Sequence, residues 1–277
     1  HAQYDAHAYP SYRTIRMGQI VQLASGLSPI SSPVVTAGDF NMRDTAPEYR
    51  AFTGLTGMRD CAAVREHRQA TSLGSNPYHA GGAVDDSRID YVFVRDGLES
   101  AIDVIDATRI FDADLEIDGH RAAYSDHAGL LVDVSIPGKV GSAHTPNPLA
   151  VELARAGLSK GRELAEGRQR RERWEALASL GIGGLAVASR RSAPLERRKF
   201  LRSLLLGVAA VGTGSALGLA ALSEFAVRQE LENYQAVGHL LDELLADSSV
   251  RGRSAHAGAR PALGQKRNRR IPRIRFG

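Results

Sequence analysis

Gly38-Asp39-Phe40-Asn41 closes the apolar run Val34-Val35-Thr36-Ala37. A short β-branched run ending in glycine predicts a buried strand that opens into a loop. That loop presents a carboxylate and, two residues on, a carboxamide. Extended spacing at i and i+2 places both side chains on one side of the backbone. A carboxylate can hold a metal or polarise a water, and an amide can donate to a phosphate oxygen, a pairing that suits phosphodiester cleavage. An ordinary Asx-rich turn explains the same two residues, since both favour turns. Two further motifs carry reactive side chains: Arg88-Ile89-Asp90-Tyr91 and Ser125-Asp126-His127. Taken singly, Asp90 reads as a solvent-facing acid and His127 as a structural histidine. These bland readings fail together only if the motifs converge. A histidine that moves protons needs a partner to fix its tautomer and support its imidazolium form. Asp90 is a candidate for that partner. Asp126 is then free to face a metal, while Asp39 and Asn41 orient an attacking water and a phosphate.

The elements that must position these groups are short. Residues 9–24 show helical spacing, with Pro10 in the first turn, where proline is tolerated. Residues 34–37 form a strand and residues 46–55 a short helix. Residues 56–87 read as irregular, being rich in Gly, Ser, Asn and Asp. Residues 88–95 read as a strand with β-branched and aromatic side chains, followed by strand regions at 101–111 and 128–134. A Pro- and Gly-rich stretch marks a domain boundary and a linker over residues 138–149.

The three motifs, in this order and spelling, resemble those of the endonuclease/exonuclease/phosphatase superfamily of metal-dependent phosphoesterases. The resemblance implies an α/β fold, the C-terminal portion of a four-layer α/β/β/α sandwich over residues 1–137, followed by a helical membrane-associated region. It implies Asp39, Asn41, Asp90 and His127 as catalytic residues, with Asp39 and Asn41 the water-orienting and phosphate-binding pair and Asp90 orienting His127. It implies Asp126 and Asp39 on the metal side, with Mg²⁺ as the cofactor and Mn²⁺ as an alternative. The family's first half carries an Asn, a metal-ligating Glu and a Thr-His pair that this sequence lacks. The chain starts at His1 without Met, so residues are expected to precede it, and the 277-residue chain is expected not to turn over substrate by itself. His1-Ala2-Gln3-Tyr4, then Tyr12, Arg16 and Gln19, and the segment Thr53-Gly54-Leu55-Thr56-Gly57-Met58-Arg59-Asp60 are similar to stretches of eukaryotic-type neutral sphingomyelinases. That similarity implies hydrolysis of sphingomyelin to ceramide and phosphocholine. A nuclease or inositol-phosphate phosphatase on the same fold, and an inactive membrane-bound scaffold, are the alternatives.

Charge is unevenly distributed. Residues 1–137 hold 11 basic and 19 acidic residues, a net of −8, which leaves +12 on residues 138–277. A protein that grips many phosphates needs a basic surface, so the first half is not built as a general nucleic-acid binder. One cysteine, Cys61, excludes a disulfide framework within the chain. Residues 150–247 read as a helical membrane-anchor region. Its first uncharged stretch, 176–189, is 14 residues, reaching roughly 21 Å as a helix, short of the roughly 30 Å hydrocarbon core. The second, 203–223, is uncharged over 21 residues and is the expected span. Within it Ala210, Gly214 and Gly218 recur every four residues, a small-residue face that suits helix–helix self-association. Residues 248–277 are basic and read as a disordered tail. These features predict an integral membrane protein that meets a phospholipid substrate in the bilayer, with its catalytic part on the cytosolic side.

Overall fold

The computed structural model describes residues 10–79, 85–138, 144–192 and 199–256. Its first sheet is organised by a strand buried on both faces. Strand β3 (Asp90–Arg95) lies between β1 (Val34–Asp39) and the two-residue β2 (Arg59–Asp60), antiparallel to both. Alternation along β3 sends Tyr91 and Phe93 to one face and Val92 and Val94 to the other. Tyr91 and Phe93 stack at 5.0 Å and meet Phe40, Tyr49 and Phe52. Tyr49 and Phe52 come from helix α2 (Pro47–Thr56), which begins with proline and ends at Gly57 in the left-handed conformation. Helix α1 (Pro10–Leu27) buries Met17, Ile20, Val21, Ala24 and Leu27, a helix-period stripe.

The opposite face of β3 meets a second sheet. Strands β4 (Asp103–Ile110) and β7 (Gly129–Ser135) pair antiparallel. Val94, Ile102, Val104 and Ala107 form one buried cluster with Cys61 and Ala62 of the one-turn helix α3 (Cys61–Val64), and Val92 and Val132 pack against it. The thiol of Cys61 is pushed up to about 11 by burial and by the neighbouring Asp60. A hairpin of β5 (Leu115–Ile117) and β6 (His120–Ala122) completes the strands, turning through Asp118 and Gly119, both at positive φ. The described elements therefore give a mixed α/β arrangement. They do not establish the expected four-layer sandwich. The stretch expected to be irregular holds β2 and α3, and Asp60 caps α3 by accepting from Ala62 N and Ala63 N.

Gly38 adopts φ +148° directly opposite Tyr91, a backbone region that side chains disfavour. A Cβ would meet nothing within 4 Å, so space is not the constraint. Gly38→Ala is expected to cost about 1–3 kcal/mol through backbone strain alone. Urea unfolding measures it, and an unchanged midpoint refutes it.

The described end of the expected linker, from His144, is tied down. Asn147 N donates to Gly54 O at 2.8 Å, and His144 packs over Gly57. Helix α4 (Pro148–Ser192) starts inside the expected linker and buries Ala150, Val151, Ala154 and Leu158. Gly157 lies so close to Met17 that a Cβ would come within 2.7 Å of it. The first compact unit accordingly runs past residue 137 to Leu158 and takes in residues 237–256 of helix α5 (Lys199–His256), where Val237, Leu241 and Leu244 are buried. Residues 248–256, expected in the disordered tail, are helical, and 257–277 lie outside the described residues.

The second unit, residues 159–236, is an antiparallel helix pair. Its direction follows from Arg168–Glu230 and Arg173–Glu224 ion pairs and from Gly183 beside Thr213. The small-residue face that meets α4 differs from the Ala210-Gly214-Gly218 face. Gly214 and Gly218 have nothing within 4 Å of a notional Cβ and Ala210 is exposed; Gly212 instead abuts Ser179 O, with Ala209 buried beside it. Close antiparallel approach selects the face where Gly183 and Gly212 let the backbones meet. Residues 203–223 lie within α5, several of their side chains outside the described residues. Among the described residues no helix is long and apolar enough to cross a membrane, so the expected span is not supported.

Candidate active site

Strand register creates the site. Asp39, the last residue of β1, pairs directly with Asp90, the first residue of β3. Like charges directly opposite in an antiparallel pair are destabilising, so this placement needs a compensating group. His127 arrives from the turn before β7 through a connecting segment. Ser72 bridges Ser87 on one side and His127 on the other, and Ala128 N donates to Thr71 O at 2.8 Å. His127 Nδ1 then lies 3.0 Å from Asp90 Oδ2 and 3.2 Å from Oδ1. With Nδ1–H donating to Asp90, Nε2 is the nitrogen left for substrate.

Thr71 is a positioning residue that sequence reasoning missed. It is 2% exposed, donates through Oγ1 to Asp90 Oδ2 at 2.6 Å, and accepts from Ile89 N and Asp90 N. No local pattern around Thr71 signals this, because its partners are 18 and 19 residues away. Thr71→Val is expected to cost about 1–3 kcal/mol by leaving buried groups unsatisfied. Thr71→Ser is expected to restore most of that, and ring NMR of His127 should report a loosened Asp90 only in the valine variant. Equal stability of the two variants counts against the assignment.

Asp39 and Asn41 meet each other. Asn41, at φ +50°, donates its backbone N–H to Asp39 Oδ1 at 2.7 Å and its amide Nδ2 to Oδ2 at 3.0 Å. The Asx-turn reading and the chemical reading are thus both satisfied, since the turn presents the carboxylate. Burial raises the Asp39 pKa, and Asp90 adds to it, against hydrogen bonds from Asn41 that lower it. The His127 pKa is raised, first by its hydrogen bond to Asp90 and then by the charges of Asp90, Asp39 and Asp126, with burial opposing.

Ligand atoms of Asp39, Asp90 and His127 lie within 4.8 Å of one another. Two carboxylates facing each other at one sheet end fit a hard divalent cation such as Mg²⁺ or Mn²⁺. Asp126 lies outside this group. It accepts from Ser125 Oγ at 3.0 Å on an exposed turn. That turn is held by Asn76 Nδ2 donating to Ser125 O and by Tyr78 OH donating to Ala123 O, two anchors the sequence did not signal.

All of these groups fall within one matched stretch. Residues 3–127 match the model of the Endonuclease/Exonuclease/phosphatase family. Comparison with curated proteins gives no match. The family match supports a hydrolase of the phosphodiesterase, nuclease or phosphatase type over these residues, in a family that typically uses a divalent metal.

Arg88, the first residue of the second family motif, does not reach the site. It is buried, forks onto Asp60, reaches Asp44 at 3.4 Å, and lies 4.6 Å above the Tyr91 ring. Tyr49 OH also donates to Asp60, at 2.9 Å. Burial opposes the Arg88 charge, and the Asp60 hydrogen bonds outweigh it and raise the pKa. The segments expected from the sequence to resemble sphingomyelinases carry packing. Arg16 pairs with buried Glu48, and Asp60 holds Arg88. His1-Ala2-Gln3-Tyr4 lies outside the described residues.

Proposed function

We propose that this protein is a metal-dependent phosphodiesterase acting on a membrane phospholipid, with sphingomyelin as its substrate. One observation carries the phosphodiesterase reading: His127, oriented by Asp90, stands beside Asp39 at one end of the first sheet. His127 Nε2 is the group that exchanges a proton with the phosphodiester or holds one of its oxygens. Asp39, whose raised pKa favours accepting a proton, faces the attacking water, and the Asn41 amide has a second N–H for a phosphate oxygen. Asp39 and Asp90 would hold Mg²⁺, which when bound stabilises charge on the phosphate. Metal binding needs the ionised carboxylate and burial raises the Asp39 pKa, so metal affinity is expected to rise with pH through the Asp39 titration.

The lipid reading draws on different features. The acidic first half suits a zwitterionic headgroup better than a polyanion. The second unit exposes large apolar side chains, among them Trp174, Leu185, Val211 and Phe225, which favour a bilayer where they share a face. Membrane attachment holds the site near a high surface density of headgroups.

The test scores Mg²⁺-dependent cleavage on sphingomyelin vesicles, inositol phosphates and DNA in parallel, with Mn²⁺ and phosphocholine binding measured on the same preparation. Phosphocholine release supports the lipid reading. DNA cleavage without it overturns the lipid reading and keeps the phosphodiesterase. A chain that binds metal and phosphocholine without turnover keeps the site assignment, and one that binds neither overturns both readings.

A further inference from the structure

Beside His127 lies an open depression of ≈ 430 Å³, lined by Phe111, Tyr124, Ser125, His127, Ala128 and Gly129. Two aromatic rings dominate it. Phe111 and Tyr124 sit 5.2 Å apart at 49°, and each is 58% exposed. Scattered exposed aromatics need no explanation, but these two share one hollow with the candidate catalytic histidine. Phe111 is also held at φ +54°, an unfavourable conformation for a bulky residue. Its ring lies over Gly129, where a Cβ would come within 3.1 Å of Phe Cδ2. A strained backbone and a glycine floor both serve to present this ring.

The charge around the hollow selects its ligand. Its lining contains no lysine or arginine. Asp126 lies between the lining residues Ser125 and His127 in sequence, Asp112 follows Phe111 and is engaged by Arg109 at 2.8 Å, and ligand atoms of Asp39 and Asp90 lie within 4.8 Å of His127. Angled π faces with carboxylates nearby attract a weakly hydrated cation. A nucleobase would also stack, but the phosphates flanking it require cations that these walls do not offer. We infer that Phe111 and Tyr124 form the subsite for a quaternary ammonium group, placing the phosphate of a phosphocholine ester at His127. This rests on the phosphodiesterase reading of His127 and assigns side chains to the headgroup, which that reading left without a binding site.

The full chain with Mg²⁺ is titrated by proton NMR with phosphocholine, 3,3-dimethylbutyl phosphate (the neutral isostere), inorganic phosphate, AMP and tetramethylammonium. Phosphocholine is expected to bind about tenfold more tightly than its neutral isostere. Its N-methyl signal should move upfield and receive saturation from aromatic protons. Tyr124→Leu and Phe111→Leu should abolish that preference while leaving inorganic phosphate binding unchanged, and Tyr124→Phe should retain it. Both rings are exposed, so circular dichroism should show folded variants. Equal affinity for the two isosteres overturns the subsite, as does a preference that survives in both leucine variants. Tighter binding of AMP, lost in the leucine variants, overturns it in favour of a stacked base. If no phosphate-bearing probe binds, the phosphodiesterase reading fails, and tetramethylammonium decides the subsite alone: binding lost in Tyr124→Leu supports it, and no binding overturns it. Sphingomyelin vesicles separate the sources, since a lipid ligand requires the leucine variants to lose vesicle binding as well as phosphocholine.

Discussion

Arg88→Ala is expected to remove about 3–5 kcal/mol of stability, a large part of what a domain of this size has. The reason is not the intrinsic worth of an ion pair. A buried pair contributes little relative to a well-packed apolar substitute, but removing one partner leaves the other charge buried and uncompensated. Here that charge is Asp60, 4% exposed, which also caps α3 and accepts from Tyr49 OH. Arg88 additionally covers the Tyr91 ring at the centre of the aromatic cluster. Urea unfolding followed by tyrosine fluorescence measures the loss. Arg88→Met is the discriminating control. It keeps the stem over Tyr91 and should lose nearly as much, because the Asp60 charge remains uncompensated. Restoration of stability by Arg88→Met would mean that packing, not charge compensation, is what Arg88 supplies.

Asp90→Asn is expected to release the His127 ring and, wherever Mg²⁺-dependent cleavage is measured, to lower it by about 10²–10⁴-fold, the range a positioned acid–base group contributes. The variant keeps the size of the side chain and the acceptor facing Thr71. It loses the charge and can turn an amide N–H toward His127. Nδ1 then becomes the acceptor and Nε2 carries the proton, the wrong tautomer for taking one up. The His127 pKa, raised in the native protein, should fall toward the ordinary histidine range. The linked stability change has a definite sign. A raised folded-state pKa contributes stability that is fully present below the unfolded value of about 6.5 and is lost as pH rises through the folded value. Asp90→Asn should therefore flatten the pH dependence of unfolding in that window. Mn²⁺ affinity should fall about 10–100-fold. Nitrogen shifts of the imidazole report the tautomer, which can be read whether or not the chain turns over substrate. An unchanged tautomer and pKa would remove Asp90 from the site.

Sequence reasoning located the strands that carry the site because their patterns are local. The run ending in Gly38, the strand through Tyr91 and Phe93, and the strand after His127 all stand where expected, within a few residues. What it missed was either a short local signal or a long-range one. Asp118-Gly119 between Ile117 and His120 is a hairpin turn signature that reveals β5 and β6. Thr71, Asn76 and Tyr78 have no such signature. Their partners lie far along the chain, and only folding brings them to Asp90 and to the 123–127 turn.

The apolar second half shows the same division. Composition correctly marked two uncharged helical stretches, but it could not say which face of each meets the other. The expected Ala210-Gly214-Gly218 face points away from α4, and Gly212 meets it. Helical phase relative to a partner depends on where the partner lies, and residue spacing alone does not contain that.

By itself, then, the sequence determined the chemistry available: three aspartates, an asparagine and a histidine placed near strand ends, in an acidic half whose motif order points to phosphoester hydrolysis. The tertiary structure decided how they combine. Strand register set Asp39 against Asp90, the bridge through Ser72 delivered His127 to Asp90, and burial sent Arg88 to Asp60 instead of the site. Register and burial are properties of the packed chain, because each depends on which distant segment excludes water from a given side chain. Residue types and spacing specify the reactive groups, and the long-range pairing of the backbone sets their distances.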